Sequence, residues 1–245
     1  MNILVCLSAV PDTTTKITFT DNNTKFNTDG VQFIINPYDE LALTKALEIT
    51  EAKGGEVTVI SVGEASIDPV IRKALAIGAH KAVRVNVAAQ DGMHVAQCIK
   101  QAIDGQSYDL ILTGRESIDY NGGQVAGLLS EMLDMSLVNV VTSIEVDGDS
   151  VTAVRDIDGG RETVSASLPC VLSAQKELCE PRIPNMRGIM QARTKPLEVI
   201  EASGAYDQTA YVGYELPPKK EGVKLIDPAN AEELIDLLRS EKKLI

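Results

Sequence analysis

Short apolar runs alternate with helical patterns over the first 135 residues of the chain. The apolar runs read ILVCLSAV, EVTVISVG, KAVRVNV and YDLILTG. Helical spacing of apolar residues occurs at about 37–53, 66–78, 91–103 and 122–133. Strands that alternate with helices form a parallel sheet with right-handed crossovers. The pattern therefore predicts an open, mostly parallel, Rossmann-like α/β sheet.

Two segments depart from this alternation. Residues 15–37 are rich in Thr and Asn and too long for a simple turn, so we expect a small hairpin between the first strand and its helix. After Ser136, β-type runs are broken by DGD and DGG, which are typical of hairpin turns. An antiparallel ribbon should therefore follow the parallel core.

The C-terminal region has a third pattern. Proline-punctuated sequence precedes NAEELIDLLRSEKKL, an amphipathic helix with Leu234, Leu237 and Leu238 on one stripe. Such a tail buries little surface by itself. We expect residues 1–200 to form the α/β domain with its ribbon, and residues 201–245 to form an arm that packs on a partner subunit.

Composition and net charge disfavour several classes of binding partner. The 245 residues are 44% hydrophobic and carry a net charge of −12, which suits one main domain and disfavours nucleic acid or anionic membrane as partners. The N-terminus has no basic region, and no stretch approaches the roughly 20 apolar residues of a membrane span. We therefore expect a soluble, cytoplasmic protein without membrane insertion.

The sequence offers little catalytic chemistry of its own. The four cysteines are widely spaced and form no CxxC motif, and the two histidines lie far from any cysteine pair. No Ser/His/Asp arrangement or Walker loop is present. We expect no metal site, and any redox chemistry must come from a bound cofactor.

Ligands of open α/β sheets bind at the carboxyl ends of the strands, where the strand order reverses. After the fourth strand, TGRESIDYNGGQVAGLL places Gly122 and Gly123 at a helix start, where free amides and the helix dipole can bind phosphate. A glycine-rich turn that leads into a core helix explains the same residues equally well.

A second helix start should face the same end of the sheet. In INPYDELA, Asn36 as N-cap, Pro37 at the first helical position and Asp39 in the first turn suffice to begin a helix. This structural interpretation is the simpler one. A ligand-binding role is supported only by the expected position.

Several motifs together resemble one known family. AVRDIDGGRETVSASLPCVLSA resembles the signature of the β (small) subunit of electron-transfer flavoproteins, with its basic residue, acidic-Gly-Gly turn and proline before a short strand. NPYDE, TGRESID, EPRIPNMRGIM and GVKLID follow in the family's order and spacing. The resemblance covers nearly the whole chain.

This resemblance implies a heterodimer with a larger α subunit that holds most of a redox-active FAD. The heterodimer accepts electrons from flavin-dependent dehydrogenases, such as the acyl-CoA dehydrogenases of fatty acid oxidation, and passes them to a quinone-linked oxidoreductase. The β subunit is then an electron carrier without catalytic residues, and in most members it binds a non-redox AMP. The matching AMP positions are Cys6, Asn36, Pro37, Tyr38, Asp39, Val62, Gly114, Ser117, Asp119, Asn121, Gly122, Gly123, Gln124 and Val125.

The nucleotide itself stays open between two possibilities. In electron-bifurcating members a second FAD occupies the AMP site and reacts with NADH. The compact DYNGGQVAG loop, with Gln124 and Val125, resembles those members, but Asn121 and Gly122 replace their Asp-Thr pair. We favour AMP. Thr13 stands where many members have an aromatic residue near the flavin.

The segment RIPNMRGIMQARTKPL, residues 182–197, is basic and apolar within an acidic chain. In the family, a loop here, at about 180–195, docks into the dehydrogenase through one aliphatic anchor. The match places Met186 at the anchor, with Ile183 as the alternative, inside a rim of Arg182, Arg187, Arg193 and Lys195. The predicted docking residues are Ile183, Met186, Arg187, Ile189 and Arg193. Alternatively, Met186 and Ile189 pack against the α subunit.

Two other classes of protein share the α/β pattern. A nucleotide-sensing module of the stress-protein type would not need the ribbon, the docking segment or the arm. An ATP-dependent ligase would carry a Ser/Gly-rich pyrophosphate loop at a strand end, which is not found. Both alternatives are therefore disfavoured.

Overall fold

The computed structural model describes residues 1–205, 208–220 and 222–244. The strands are β1 (Asn2–Cys6), β2 (Ala9–Pro11), β3 (Phe19–Thr20), β4 (Lys25–Phe26), β5 (Phe33–Ile35), β6 (Glu56–Val62), β7 (Lys81–Asn86), β8 (Leu110–Gly114), β9 (Ser136–Asp147), β10 (Ser150–Ile157), β11 (Gly160–Ser167), β12 (Cys170–Ala174) and β13 (Leu197–Glu201). The helices are α1 (Pro37–Lys53), α2 (Asp68–Ile77), α3 (Gly92–Ala102), α4 (Val125–Met132), α5 (Met186–Ala192) and α6 (Ala231–Ser240), with 3₁₀ turns at Ala65–Ile67 and Pro228–Asn230.

Within the described residues, a nine-stranded sheet has the order β11-β10-β9-β12-β8-β1-β6-β7-β13. β1 pairs in parallel with β6 on one side and with β8 on the other. The chain therefore builds outward from β1 through β6 and β7, and then returns to place β8 on the opposite flank. This reversal makes the β1–β8 boundary the switch point of the sheet. The predicted α/β fold is confirmed.

The antiparallel ribbon extends the same sheet. β9, β10 and β11 pair as an antiparallel meander, and β12 joins β9 to β8 with parallel pairing on both sides. The expected hairpin after β1 is also present, because β3 pairs with β4 and β2 pairs with β5.

Two hydrophobic layers cover the sheet. Ile3 and Val5 of β1 belong to the cluster on the side of α1 and α2, whereas Leu4 belongs to the cluster on the side of α3 and α4. Successive residues of a strand point to opposite faces, so a strand that is buried on both faces needs an uninterrupted apolar run. This requirement explains why the first strand could be recognised in the sequence.

Three of the four predicted helices have the expected bounds within one or two residues. The fourth begins at Val125, so Gly122 and Gly123 lie in the preceding loop and the expectation that they open the helix is wrong. Gly122 is instead part of a tight turn, because its carbonyl accepts a hydrogen bond from the Ser117 amide at 3.0 Å.

The arm divides into two parts. Its first part lies against the domain, where the Tyr214 amide donates to the Asn23 carbonyl at 2.7 Å and the Tyr214 ring stacks on Phe19 at 4.9 Å. Beyond it, Val223 and Leu225 are 82% and 89% exposed, and the predicted terminal helix is present as α6. Residues 206, 207, 221 and 245 of the predicted arm lie outside the described residues.

None of the helices in the described part of the chain has the length and apolar character needed to cross a bilayer.

Candidate nucleotide site

A cavity of about 410 Å³ opens at the carboxyl ends of β1, β6 and β8. Its walls come from the loops that follow these strands, from the start of α4 and from Ala88 and Ala89 after β7. The cavity therefore lies at the switch point of the sheet, the position at which open α/β folds bind ligands.

Asp39 joins the two strand ends at this switch point. Its Oδ2 accepts a hydrogen bond from the Ser8 amide, after β1, at 2.6 Å, and its Oδ1 accepts one from the Gly114 amide, at the end of β8, at 2.9 Å. Burial raises the pKa of Asp39 to about 7, against the opposing effect of these donors. One carboxyl group thus holds the loops after β1 and β8 to the first turn of α1.

Asn36 stands at the predicted N-cap position of α1, but its side chain bonds elsewhere. Its side chain makes no cap hydrogen bond on α1. The amide nitrogen instead donates to the Glu116 carbonyl at 2.8 Å, and the amide oxygen accepts from the Ile118 amide at 3.3 Å. The interpretation that a helix start alone explains Asn36 and Asp39 is therefore wrong, because both side chains hold loops of the cavity in place.

The loop between β8 and α4 is compact and internally bonded. The Ser117 hydroxyl bonds to the Asp119 carboxylate, which also accepts from the Tyr120 amide at 3.1 Å. Asn121 adopts a left-handed backbone with φ of 56°. At Gly122, a Cβ atom would lie 1.9 Å from the Tyr120 ring, so only glycine allows the ring to cross the turn in this way.

Most of the predicted nucleotide residues border the cavity. Those that do are Cys6, Asp39, Val62, Gly114, Ser117, Asp119, Gly122, Gly123 and Val125. Asn36 is buried behind the β8–α4 loop. Pro37, Asn121 and Gln124 are exposed and Tyr38 is half-buried, and none of these four borders the cavity.

Sequence reasoning missed part of the lining. Glu64 and Ser66 border the cavity from the loop after β6, of which the resemblance had marked only Val62. The switch-point rule identifies this loop, since β6 neighbours β1, so its polar residues could have been proposed. Ala88 and Ala89 carry no functional group and left no comparable signal in the sequence.

Charge on the walls is mostly negative. Glu64, Glu116 and Asp119 border the cavity, and the only positive side chain among its described lining residues, Arg115, lies 3.4 Å from the Glu116 carboxylate. A phosphate would therefore depend on backbone amides and on the start of α4. Cys6 is not a nucleophile, because burial and the nearby Asp39 raise the pKa of its thiol far above the usual range.

The predicted docking segment forms a short helix with exposed apolar side chains. The Asn185 side chain caps α5 by accepting from the Gly188 amide at 2.8 Å. Ile183 and Met186 are 90% and 74% exposed, and Ile189 and Met190 are also exposed. The structure therefore places several large apolar side chains on the surface within one segment.

Two of the four basic side chains of the expected rim have partners within the chain. Arg182 binds both carboxylate oxygens of Glu51, at 2.6 and 2.7 Å, and Lys195 donates to the Leu75 and Ala79 carbonyls at 2.9 and 2.7 Å. These two charges are therefore used within the chain, contrary to expectation. Arg187 and Arg193 are exposed and make no ion pair with any residue that the structure describes.

A family model and individual known proteins that match this chain belong to the same family. Residues 23–205 match the family model described as electron transfer flavoprotein domain. The chain is 38% identical to a protein named electron transfer flavoprotein subunit beta from Bacillus subtilis (strain 168), over the full length of both. Proteins of the same name from Syntrophomonas wolfei and Bos taurus are 36% and 32% identical, each over 93% of this chain and over 90% and 89% of their own lengths.

Proposed function

The chain belongs to the electron transfer flavoprotein family, as a β subunit, and we propose that it binds AMP in its switch-point cavity while its heterodimer carries electrons. The α subunit holds most of the FAD. The heterodimer receives electrons from flavin-dependent dehydrogenases, including those of fatty acid oxidation, and passes them to a quinone-linked oxidoreductase in the cytoplasmic compartment. The β subunit performs no substrate chemistry.

The cavity is the single observation that carries this proposal. Its volume of about 410 Å³ is near the lower end of the roughly 300–1,000 Å³ range of ligand pockets, which suits a mononucleotide better than a second FAD. The junction at Asp39 and the internally bonded β8–α4 loop hold the walls in place before a ligand binds. A cavity of this size, with walls that are hydrogen-bonded within the chain, favours a structural nucleotide.

We expect the purified heterodimer to contain one FAD and one AMP. The test is to co-express the chain with its α subunit, denature the complex and quantify the released nucleotides by chromatography. Two FAD molecules without AMP, together with reduction of one of them by NADH, would establish the electron-bifurcating alternative. Failure of the chain to co-purify with a flavin-containing subunit would contradict the whole proposal.

We also propose that the arm packs on the α subunit. Val223 and Leu225 are almost fully exposed, and Leu234 and Ile235 of α6 are exposed as well. Apolar side chains in such number along one extended segment indicate a surface that a partner covers. A β subunit of this family provides one obligatory partner, the α subunit.

The docking segment is proposed to bind the dehydrogenase. Replacing Met186 with alanine should slow reduction of the heterodimer's FAD by the dehydrogenase by about tenfold, the effect of losing about 1–2 kcal/mol at an apolar anchor. Ile183→Ala tests the alternative anchor, whose side chain is the more exposed of the two. Rates are measured by stopped-flow absorbance of the flavin.

A matched control is Val199→Ala, which truncates a half-exposed apolar side chain on the edge strand β13. This variant should transfer electrons at the wild-type rate. The docking assignment is wrong if Met186→Ala or Ile183→Ala releases the α subunit or the FAD, because the segment is then a contact inside the heterodimer.

A further inference from the structure

Glu64 borders the cavity from the loop that follows β6. It is the second residue after β6 and stands at the N-cap position of the 3₁₀ turn Ala65–Ile67. A short polar side chain at an N-cap position often accepts a hydrogen bond from the first amides of the helix, but the Glu64 side chain makes no such bond. Glu64 is exposed and is one of the residues that border the cavity.

The loop that carries Glu64 is held by a buried arginine. The Gly63 amide donates to the Val85 carbonyl at 3.0 Å, and the Gly63 carbonyl accepts from Arg84 Nη1 at 3.0 Å. Arg84 is 5% exposed, and its Nε lies 2.7 Å from the carboxylate of Asp68, the first residue of α2. The backbone before and after Glu64 is therefore fixed on both sides.

The other acidic residues on the walls are already engaged. Glu116 pairs with Arg115, and Asp119 accepts from the Ser117 hydroxyl and the Tyr120 amide. The Glu64 carbonyl accepts from the Ile67 amide at 3.1 Å, but the Glu64 side chain makes no hydrogen bond or ion pair with any other residue in the described part of the chain. Among the described acidic residues that border the cavity, Glu64 is thus the one whose side chain has no partner within the chain, so both of its carboxylate oxygens are available to a ligand.

Only some parts of a nucleotide can bind next to a carboxylate. It repels phosphate and accepts hydrogen bonds only from donors, which on an adenine nucleotide are the ribose hydroxyls and the 6-amino group. In dinucleotide-binding α/β folds, an acidic residue that follows the second strand binds the ribose 2′-hydroxyl. Glu64 has this position, because β6 is the second parallel strand and the direct neighbour of β1.

We infer that Glu64 accepts a hydrogen bond from the ribose 2′-hydroxyl and makes the cavity selective for ribonucleotides without a 2′-phosphate. This inference rests on the proposed nucleotide function of the cavity. It assigns the ribose to the β6 side and the phosphate to the amides at the β8–α4 side. The selectivity follows because a 2′-deoxyribose cannot donate a hydrogen bond to the carboxylate, and a 2′-phosphate is repelled by it.

The test uses the heterodimer freed of nucleotide and titrated by calorimetry with AMP, 2′-deoxy-AMP, adenosine 2′,5′-bisphosphate and IMP. Wild type should bind AMP at least tenfold more tightly than 2′-deoxy-AMP, as expected for a hydrogen bond to a charged acceptor. In Glu64→Ala this ratio should fall to near one, and in Glu64→Gln to an intermediate value. Adenosine 2′,5′-bisphosphate should gain affinity in both variants.

The ratio of two affinities for one variant cancels general effects of charge and stability. Glu56→Ala, at the opposite end of β6, is the matched control and should keep the wild-type ratio. Wild type that binds none of the nucleotides would overturn the proposed function itself. Wild type that binds AMP, with a ratio that Glu64→Ala leaves unchanged, would overturn only this inference. Loss of discrimination between AMP and IMP in Glu64→Ala would place Glu64 at the base and also overturn it.

Discussion

Replacing Gly114 with alanine should destabilise the folded chain by about 3 kcal/mol and deplete the heterodimer of nucleotide. A Cβ atom at this position would lie 2.2 Å from Asp39 Oδ1, 2.8 Å from Tyr38 Cβ and 3.0 Å from the Asp39 amide nitrogen. The first turn of α1 would have to move, which breaks the bond from the Gly114 amide to Asp39. Overpacking costs about 1–3 kcal/mol and a lost buried hydrogen bond about 1 kcal/mol more.

Gly160→Ala provides the control for this prediction. A Cβ atom at Gly160, at the start of β11, would meet no atom within 4 Å, and the backbone there has no positive φ. This variant should unfold within about 0.5 kcal/mol of wild type. Both variants are compared by denaturant unfolding at one fixed heterodimer concentration, with AMP quantified in parallel. Equal stability and AMP content in the two would show that the junction at Asp39 tolerates movement of α1.

The fold could be predicted where neighbouring residues determine the structure. The run at β1 is apolar because both of its faces are buried, and α1 has the predicted bounds because Pro37 suits its first turn and Gly54 ends it in a positive-φ conformation. These signals lie within a few residues of the element that they define.

The site depends on bonds that no local pattern contains. Asp39 bonds to residues 31 and 75 positions away, and Arg182 pairs with a glutamate 131 positions away. An acid in the first turn of a helix has the same sequence signature whether it caps that helix or joins two distant loops. Arg182 likewise has the signature of a free surface charge. For this reason the sequence could mark residues of which most lie around one cavity, whereas the bonds by which Asn36 and Asp39 hold its loops, and the internal partners of Arg182 and Lys195, could not be predicted.

Replacing Asp39 with asparagine should lower the free energy of unfolding by about 2–3 kcal/mol at pH 5. Both carboxyl oxygens of Asp39 accept a backbone N–H, from Ser8 and from Gly114. Even a protonated carboxyl group keeps an acceptor lone pair on each oxygen. An asparagine would turn its NH₂ group toward one of the two amides, which leaves a buried donor unsatisfied. The AMP content of the Asp39→Asn heterodimer should also fall, because the loop whose amide loses its bond moves at the cavity.

The cost of this substitution should shrink as the pH rises. Burial raises the pKa of Asp39 from 3.8 to about 7 in the folded chain. Between these values the folded state binds more protons than the unfolded state, so the contribution of Asp39 to stability falls as the pH rises from about 4 and levels off above about 7. The shift of about three pKa units corresponds to a loss on the order of 4 kcal/mol across this window.

The asparagine side chain of the variant does not titrate, so the difference in unfolding free energy between wild type and Asp39→Asn isolates this one group. Every other ionisable group is common to the two proteins, so its contribution cancels in this difference. We expect the two stability curves, measured by denaturant unfolding from pH 4.5 to 8, to converge and meet near pH 7. Parallel curves would mean that the bonds from Ser8 and Gly114 keep Asp39 ionised throughout, and that these two amides outweigh the effect of burial on its pKa.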